Sequence, residues 1–342
     1  MSKGTVSGHI RSSAHTRSEP RGRPDLSVKL GSLELRNPVM IASGLAGYGD
    51  DLEGIVDLSK VGAVVTKTLT LNAREGNPPP RLAEMPAGLM NSIGLANVGC
   101  AAFISERLNR LKTLKTKTLI SVGGFSEREY CEVALRLEEV GGFDGFEVNI
   151  SCPNVKEGGM SFGTSPSKAA GIVRAIRSQT SRPLIVKLTP NVTDIAAIAK
   201  ACVFAGADAL TVGNTFRALA VDVETRRPVL GSGAGGLSGP AIKALCLAKV
   251  WEVVSAVGVP VIACGGICSA NDALEFSIAG ATAFQVGSAC LRSFRTPELV
   301  LCGITDYLRQ NRMRSIAEIR GTLRYTGLQN EWNARTTRRA LE

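Results

Sequence analysis

The hexapeptide NISCPN, residues 149–154, sets a thiol, Cys152, between two amides, Asn149 and Asn154, at the end of the apolar run GFEVNI. A free thiol, with a pKa near ~8.5, becomes a usable proton acceptor at mildly alkaline pH when cations lie close. Two lysines end other apolar runs, Lys67 in GAVVTK and Lys187 in PLIVKL. A lysine so placed can form a Schiff base, pair with phosphate, or stabilise negative charge developing on a cofactor. Asn91 and Asn214 join Asn149 and Asn154 near strand ends or in the loops that follow them. Each amide offers two donors and an acceptor, so several converging amides suit a flat heterocycle with alternating C=O and N–H edges. No acid–base pair of carboxylates presents itself, which leaves Cys152 as the obvious proton-transfer group.

Glycines close two further runs, Gly265-Gly266 after PVIAC and Gly287-Ser288 after TAFQV. Without a Cβ, backbone N–H groups there can close on an anion. A third stretch, GAGGLSG at 233–239, leads into GPAIK and is expected to add donors. Together these favour a phosphorylated ligand. Both histidines, His9 and His15, fall in the first 27 residues, so Ser-His-Asp and Cys-His hydrolysis and His-ligated metals are excluded from the body of the chain. The nine cysteines are scattered, with only Cys264 and Cys268 close together in CGGIC. Their spacing is neither iron–sulfur nor zinc, so no metal site is expected, and reduced thiols suit a cytoplasmic location.

These residues need a scaffold that brings strand ends together. Eight short β-branched runs recur: NPVMIAS, GAVVTK, TLISVGG, GFEVNI, PLIVKL, DALTVGN, PVIACGG and TAFQVG. Between most of them lie helix-patterned stretches such as SEREYCEVALRLEEVG and SPSKAAGIVRAIRSQ, apolar at three- and four-residue intervals. This alternation predicts an α/β fold, a TIM (β/α)8 barrel with long rim loops, whose chemistry belongs at the C-terminal strand ends. A doubly wound sheet would carry GxGxxG after its first strand, and ASGLAGYG is a poor match. The long loops are 68–100, 151–165 and 214–240; the last contains VDVETRRPVL, a predicted hairpin. The expected organisation is a disordered basic leader at 1–27, the barrel at 28–312, and a C-terminal helix with a basic tail at 313–342.

The net charge of +10 invites a nucleic-acid reading, but half the excess lies in residues 1–27 and 321–342. What remains, spread over the barrel, fits an enzyme for small anions, with neither nucleic acid nor membrane as partner. No apolar stretch approaches the ~18 residues that span a bilayer.

The segments NISCPNVKEGGMSFGTSP, TKTLTLNAREGNPPPRLAEMPAGLMNSIGLANVG, VKLTPNVTDI and GGLSGPAIK together resemble the class 1 dihydroorotate dehydrogenases, and the residues after SCPNV are closest to the class 1B catalytic subunit. The resemblance runs from about residue 28 to 320. It implies an FMN-bearing barrel that oxidises dihydroorotate to orotate in pyrimidine biosynthesis, with Cys152 as general base. By matching motif, Lys67, Asn91, Ile93, Gly94, Leu95, Asn149, Asn154, Asn214 and Thr215 would hold substrate. Ala42, Ser43, Gly44, Lys67, Thr68, Asn149, Lys187, Gly239, Gly265, Gly266, Gly287 and Ser288 would bind FMN. The class 1B resemblance further implies a second subunit carrying FAD and a [2Fe-2S] cluster that passes electrons to NAD, and a homodimeric core; fumarate is the class 1A acceptor. Leu45-Ala46 depart from the bulkier or aromatic pair of many relatives.

The rival readings are a tRNA dihydrouridine synthase, which shares the asparagine-x-x-cysteine-proline turn, another dihydropyrimidine oxidoreductase on the same barrel, and a Schiff-base lyase on Lys187. The first would normally add a C-terminal RNA-binding domain, for which only about 30 residues remain.

Overall fold

The computed structural model describes residues 22–49, 51, 52, 55–151 and 162–324. Eight parallel strands close into a barrel: β1 (Val39–Ile41), β2 (Ala63–Val65), β3 (Lys117–Val122), β4 (Gly145–Asn149), β5 (Leu184–Leu188), β6 (Ala209–Val212), β7 (Val261–Cys264) and β8 (Ala283–Val286). They are the eight runs expected from the sequence. Strand β8 closes on β1, with Phe284 opposite Val39 and Val286 opposite Ile41. Their sequences are apolar throughout rather than alternating, because helices cover the outer face and side chains fill the inner one. Glu147, Lys187, Thr211 and Gln285 are buried polar exceptions within these runs.

Six helices follow β3 to β8 in turn: α1 (Glu127–Val140), α2 (Pro166–Arg177), α3 (Ile195–Phe204), α4 (Lys243–Val254), α5 (Ala270–Ile278) and α6 (Thr296–Gln310). On α1 the buried residues are Tyr130, Val133, Ala134 and Leu137, three or four apart as one helical face requires. Ser126 caps its start by accepting from the Glu129 N–H, and Gly141, at φ 60°, ends it. After β2 comes a shorter helical run, Cys100 to Leu111, with a π-turn at Phe103–Arg107. After β1, among the described residues, there is only a 3-10 turn, Leu58–Lys60, packed in a small cluster with Ile41, Ala46, Leu52, Val61 and Val64.

The hairpin Val28–Leu30/Leu33–Leu35 buries its leucines at the N-terminal end of the barrel, where a Cβ on Gly31 would meet Asp208, the residue before β6. Ordered contacts begin ahead of residue 28: the Asp25 N–H donates to the Arg314 carbonyl at 2.8 Å, and Leu26 is buried. Between residues 313 and 324 the one helical element is the 3-10 turn Ile316–Glu318; residues 325–342 lie outside the described part.

At the other end, two of the long loops pair with each other. Strands Leu82–Met85 and Gly88–Asn91 from the first, and Phe216–Ala218 and Gly235–Ser238 from the third, form one antiparallel sheet. The predicted hairpin is present as Val221–Asp222 against Arg227–Pro228. Within the expected donor stretch at 233–239, Gly235 and Gly236 are strand residues, and a Cβ on Gly236 would fall 1.9 Å from Thr215 Oγ1. Only Ser238 and Gly239 of that stretch reach the cavity described next. Among the described residues no helix is long and apolar enough to cross a membrane.

Candidate active site

A cavity of about 360 Å³ opens at the C-terminal ends of the strands under the loop sheet. Its size is that of a small-molecule site. Every described residue named from sequence as a site candidate lines it: Ala42, Ser43 and Gly44 after β1, Lys67 and Thr68 after β2, and Asn91, Ile93, Gly94 and Leu95 from the first long loop. Asn149 on β4, Lys187 on β5, Asn214 and Thr215 after β6, and Gly239, Gly265, Gly266, Gly287 and Ser288 complete the set. Cys152 and Asn154 lie outside the described residues.

One end of the cavity presents backbone donors from glycine-rich strand ends. Among the described residues, the backbone N–H groups of Gly266, Gly287 and Ser288 find no acceptor within the protein. Orphaned donors at the ends of β7 and β8 are what a phosphate would satisfy. Glycine is required there: Gly266 has φ 77°, and a Cβ would sit 2.5 Å from Lys243 Cα. The loop is fixed from behind by Asp272, whose carboxylate accepts from the N–H groups of Cys268 and Ser269 at 3.0 and 2.9 Å and pairs with Lys243 at 2.9 Å. This capping box starts α5 directly beneath the anion end.

The cavity also carries a chain of amides and hydroxyls. Ser43 Oγ donates to the Thr66 carbonyl at 2.8 Å, and Asn149 Nδ2 donates to Thr68 Oγ1 at 3.0 Å. Ser151 donates both its N–H and its hydroxyl to Asn149 Oδ1, and Asn214 Nδ2 donates to Ser151 Oγ at 2.6 Å. Asn191 supports the next residue, donating to the Thr215 carbonyl at 3.0 Å. These bonds lock the amides before any ligand arrives. Leu95, at φ 57°, and Gly94, at φ 72°, hold the NSIGL turn, and a Cβ on Gly94 would lie 2.5 Å from the Asn77 backbone nitrogen. The strained Leu95 backbone is of the kind that gathers at ligand sites. The Lys67 ammonium makes no hydrogen bond or ion pair among the described residues.

The floor carries the buried charge. Lys187 is 5% exposed and donates to Gln285 Oε1 at 2.9 Å. Burial opposes its charge, but the negative charge of the facing groups, Cys264 once ionised and the Glu147 carboxylate, outweighs that and holds the ammonium above its ordinary value. Burial pushes the Cys264 thiol up, so it is neutral at physiological pH. The cavity thus joins unpaired backbone donors, a buried cation and a row of fixed amides in one space.

A family model described as dihydroorotate dehydrogenase matches residues 25–308. The chain belongs to the dihydroorotate dehydrogenase family. Relatives named dihydroorotate dehydrogenase B (NAD(+)), catalytic subunit, include one from Geotalea daltonii, 50% identical over 302 residues. Others are from Geotalea uraniireducens, at 49%, and Trichlorobacter lovleyi, at 51%. Each alignment covers 88% of this chain and 99% of the relative. The match favours the dihydroorotate dehydrogenase expectation over the tRNA dihydrouridine synthase and Schiff-base alternatives.

Within this dihydroorotate dehydrogenase fold, sequence reasoning missed part of the site. Leu82, Leu89, Ile242, Ile267 and Leu291 give the cavity its apolar walls, and Cys264 and Cys268 both line it. Glu147, Thr211 and Gln285, beneath Lys187, were not singled out either. Their signal was available: a polar residue interrupts the apolar runs GFEVNI, DALTVG and TAFQVG. The Leu45-Ala46 pair divides its duties, with Leu45 lining the cavity and Ala46 buried in the cluster beside β1.

Proposed function

We propose that the chain is the FMN-bearing catalytic subunit of an enzyme that oxidises dihydroorotate to orotate in pyrimidine biosynthesis. The observation that carries this reading is the pairing, in one cavity, of orphaned N–H donors at Gly266, Gly287 and Ser288 with the fixed amides of Asn149 and Asn214. FMN, when bound, supplies the acceptor for the C6 hydride. Gly239, Gly265, Gly266, Gly287 and Ser288 would hold its phosphate, with Ala42, Ser43, Gly44, Thr68 and Asn149 along the ring. Lys187 would face the ring edge where negative charge gathers on reduction. Asn91, Ile93, Gly94, Leu95, Asn149, Asn154, Asn214 and Thr215 would bind the pyrimidine, and Lys67 would pair with its carboxylate. Cys152 takes the C5 proton, as the sequence NISCPN suggests.

The designation of the relatives as catalytic subunits supports a separate partner subunit; in this reading it carries FAD and a [2Fe-2S] cluster, delivers electrons to NAD, and joins a homodimeric core. Co-purification followed by cofactor extraction tests that part: FMN with FAD and iron is expected, and FMN alone would point to fumarate or another direct acceptor. For the chemistry itself, Cys152→Ala is expected to keep FMN and lose dihydroorotate oxidation near neutral pH by about 100-fold or more. Undiminished turnover in that variant would assign the proton to another group.

A further inference from the structure

One carboxylate lies inside the barrel beneath the cavity, and no step of the proposed reaction uses it. Glu147, on β4, is fully buried. Thr211 Oγ1, on β6, donates to its Oε1 at 2.8 Å, and the Gln285 amide, on β8, donates to the same oxygen. Its Oε2 makes no hydrogen bond and lies 3.6 Å from Lys187 Nζ. Gln285 Oε1 in turn accepts from Lys187 at 2.9 Å, so a single amide spans the anion and the cation. Three alternate strands thus meet at Lys187, which lines the cavity.

We propose that Glu147, bridged by Gln285, is a positioning residue that keeps Lys187 cationic and aimed at the cavity, and through it sets the reduction potential of the bound flavin. The inference rests on the flavin reading of the cavity. A buried lysine without a counter-charge gives up its proton. Among the described residues Glu147 is the one carboxylate in ion-pair contact with Lys187. Among the described residues, the other groups that contact it or line the same cavity supply no negative charge near neutral pH: Gln285 is an amide, burial holds Cys264 and Cys268 as thiols, and Lys67 is a second lysine. With Oε1 filled by two donors and Oε2 unbonded, the carboxylate remains an acceptor turned toward the ammonium.

The sign of one measurement separates this role from a purely electrostatic one. If Lys187 kept its proton regardless, removing the Glu147 charge would favour the anionic reduced ring and raise the potential. If Lys187 depends on Glu147, removal costs the cation, and the potential falls more as pH rises. The test is the midpoint potential of FMN bound to the full chain, parent against Glu147→Gln, from neutral to alkaline pH. The expected result is a fall of about 30 mV or more, equal to roughly tenfold weaker binding of reduced relative to oxidised FMN for a two-electron couple. In a Lys187→Met background the same change should not lower the potential. An unchanged or raised potential in Glu147→Gln overturns the proposal, and so does an equal fall in both backgrounds. Should Glu147→Gln not fold, Gln285→Leu, which removes the bridge, is expected to lower the potential in the same direction, and no fall would overturn it. A parent chain that takes up no FMN would overturn the flavin reading itself, a result distinct from an FMN-loaded variant whose potential does not drop.

Discussion

At the scale of single residues the site is specified by what a side chain would displace or leave unpaired. Gly266→Ala puts a methyl 2.5 Å from a helix backbone atom at a positive φ, so it is expected to cost about 1–3 kcal/mol of strain and to weaken FMN binding at least tenfold. A denaturant melt and a flavin fluorescence titration measure the two effects. Asn149→Ala strips the Ser151 N–H and hydroxyl of their acceptor in a buried setting, and a loss of about 1–3 kcal/mol in stability is expected from the same melt. The cavity positions of Lys67, Asn149, Lys187 and Asn214 were legible because their motifs close apolar runs, and a polar group near a strand end faces a rim. The Glu147–Thr211–Gln285 cluster was not, because its members are 64 and 138 residues from Glu147 and only barrel closure brings them together. In sequence each is one polar residue in an otherwise buried strand.

At the scale of elements, the barrel strands and their helices were readable because each is local, a run of five or so residues followed by a periodic stretch with its own cap. The loop sheet was not. Its pairings, such as Gly236 opposite Asn91, join segments far apart in the chain, and its glycine-rich strand looks like an anion loop until its partner is seen. Glycine is there because Thr215 occupies the space a side chain would need. Gly236→Ala is therefore expected to push Thr215 aside and raise the KM for dihydroorotate by about tenfold, the order of a lost contact worth ~1.4 kcal/mol, while FMN content is retained. Steady-state kinetics with a flavin assay on the same preparation checks this. The α5 capping box makes the complementary case: Asp272→Ala removes its N3 arm, leaves the Ser269 cap, and frees the Cys268 and Ser269 N–H groups beside the glycine end of the cavity. It is expected to cost about 1–2 kcal/mol in a thermal or denaturant melt and to weaken FMN rather than substrate binding.

At the scale of the whole molecule, the continuous core buries thiols that the unfolded chain would expose. Burial pushes Cys202 up to about 12 from an ordinary 9.0. Between those values the unfolded thiol releases its proton while the folded one keeps it, so the native state binds more protons and stability falls as pH rises through that window. The contribution is intact below pH 9. Denaturant melts across the window should show declining stability, with a shallower decline in Cys202→Ala, by up to ~1.4 kcal/mol per pH unit. A slope unchanged by that substitution would remove Cys202 from the explanation. The barrel also sets the limits on function: it brings glycine-rich ends of β7 and β8, a buried cation on β5 and amides on β4 and after β6 around one cavity. The most direct test of that arrangement is anaerobic addition of dihydroorotate to the FMN-reconstituted chain, followed by its visible absorption. The account predicts bleaching of the flavin with formation of one orotate per FMN; a chain that binds FMN and dihydroorotate yet leaves the flavin oxidised would contradict it.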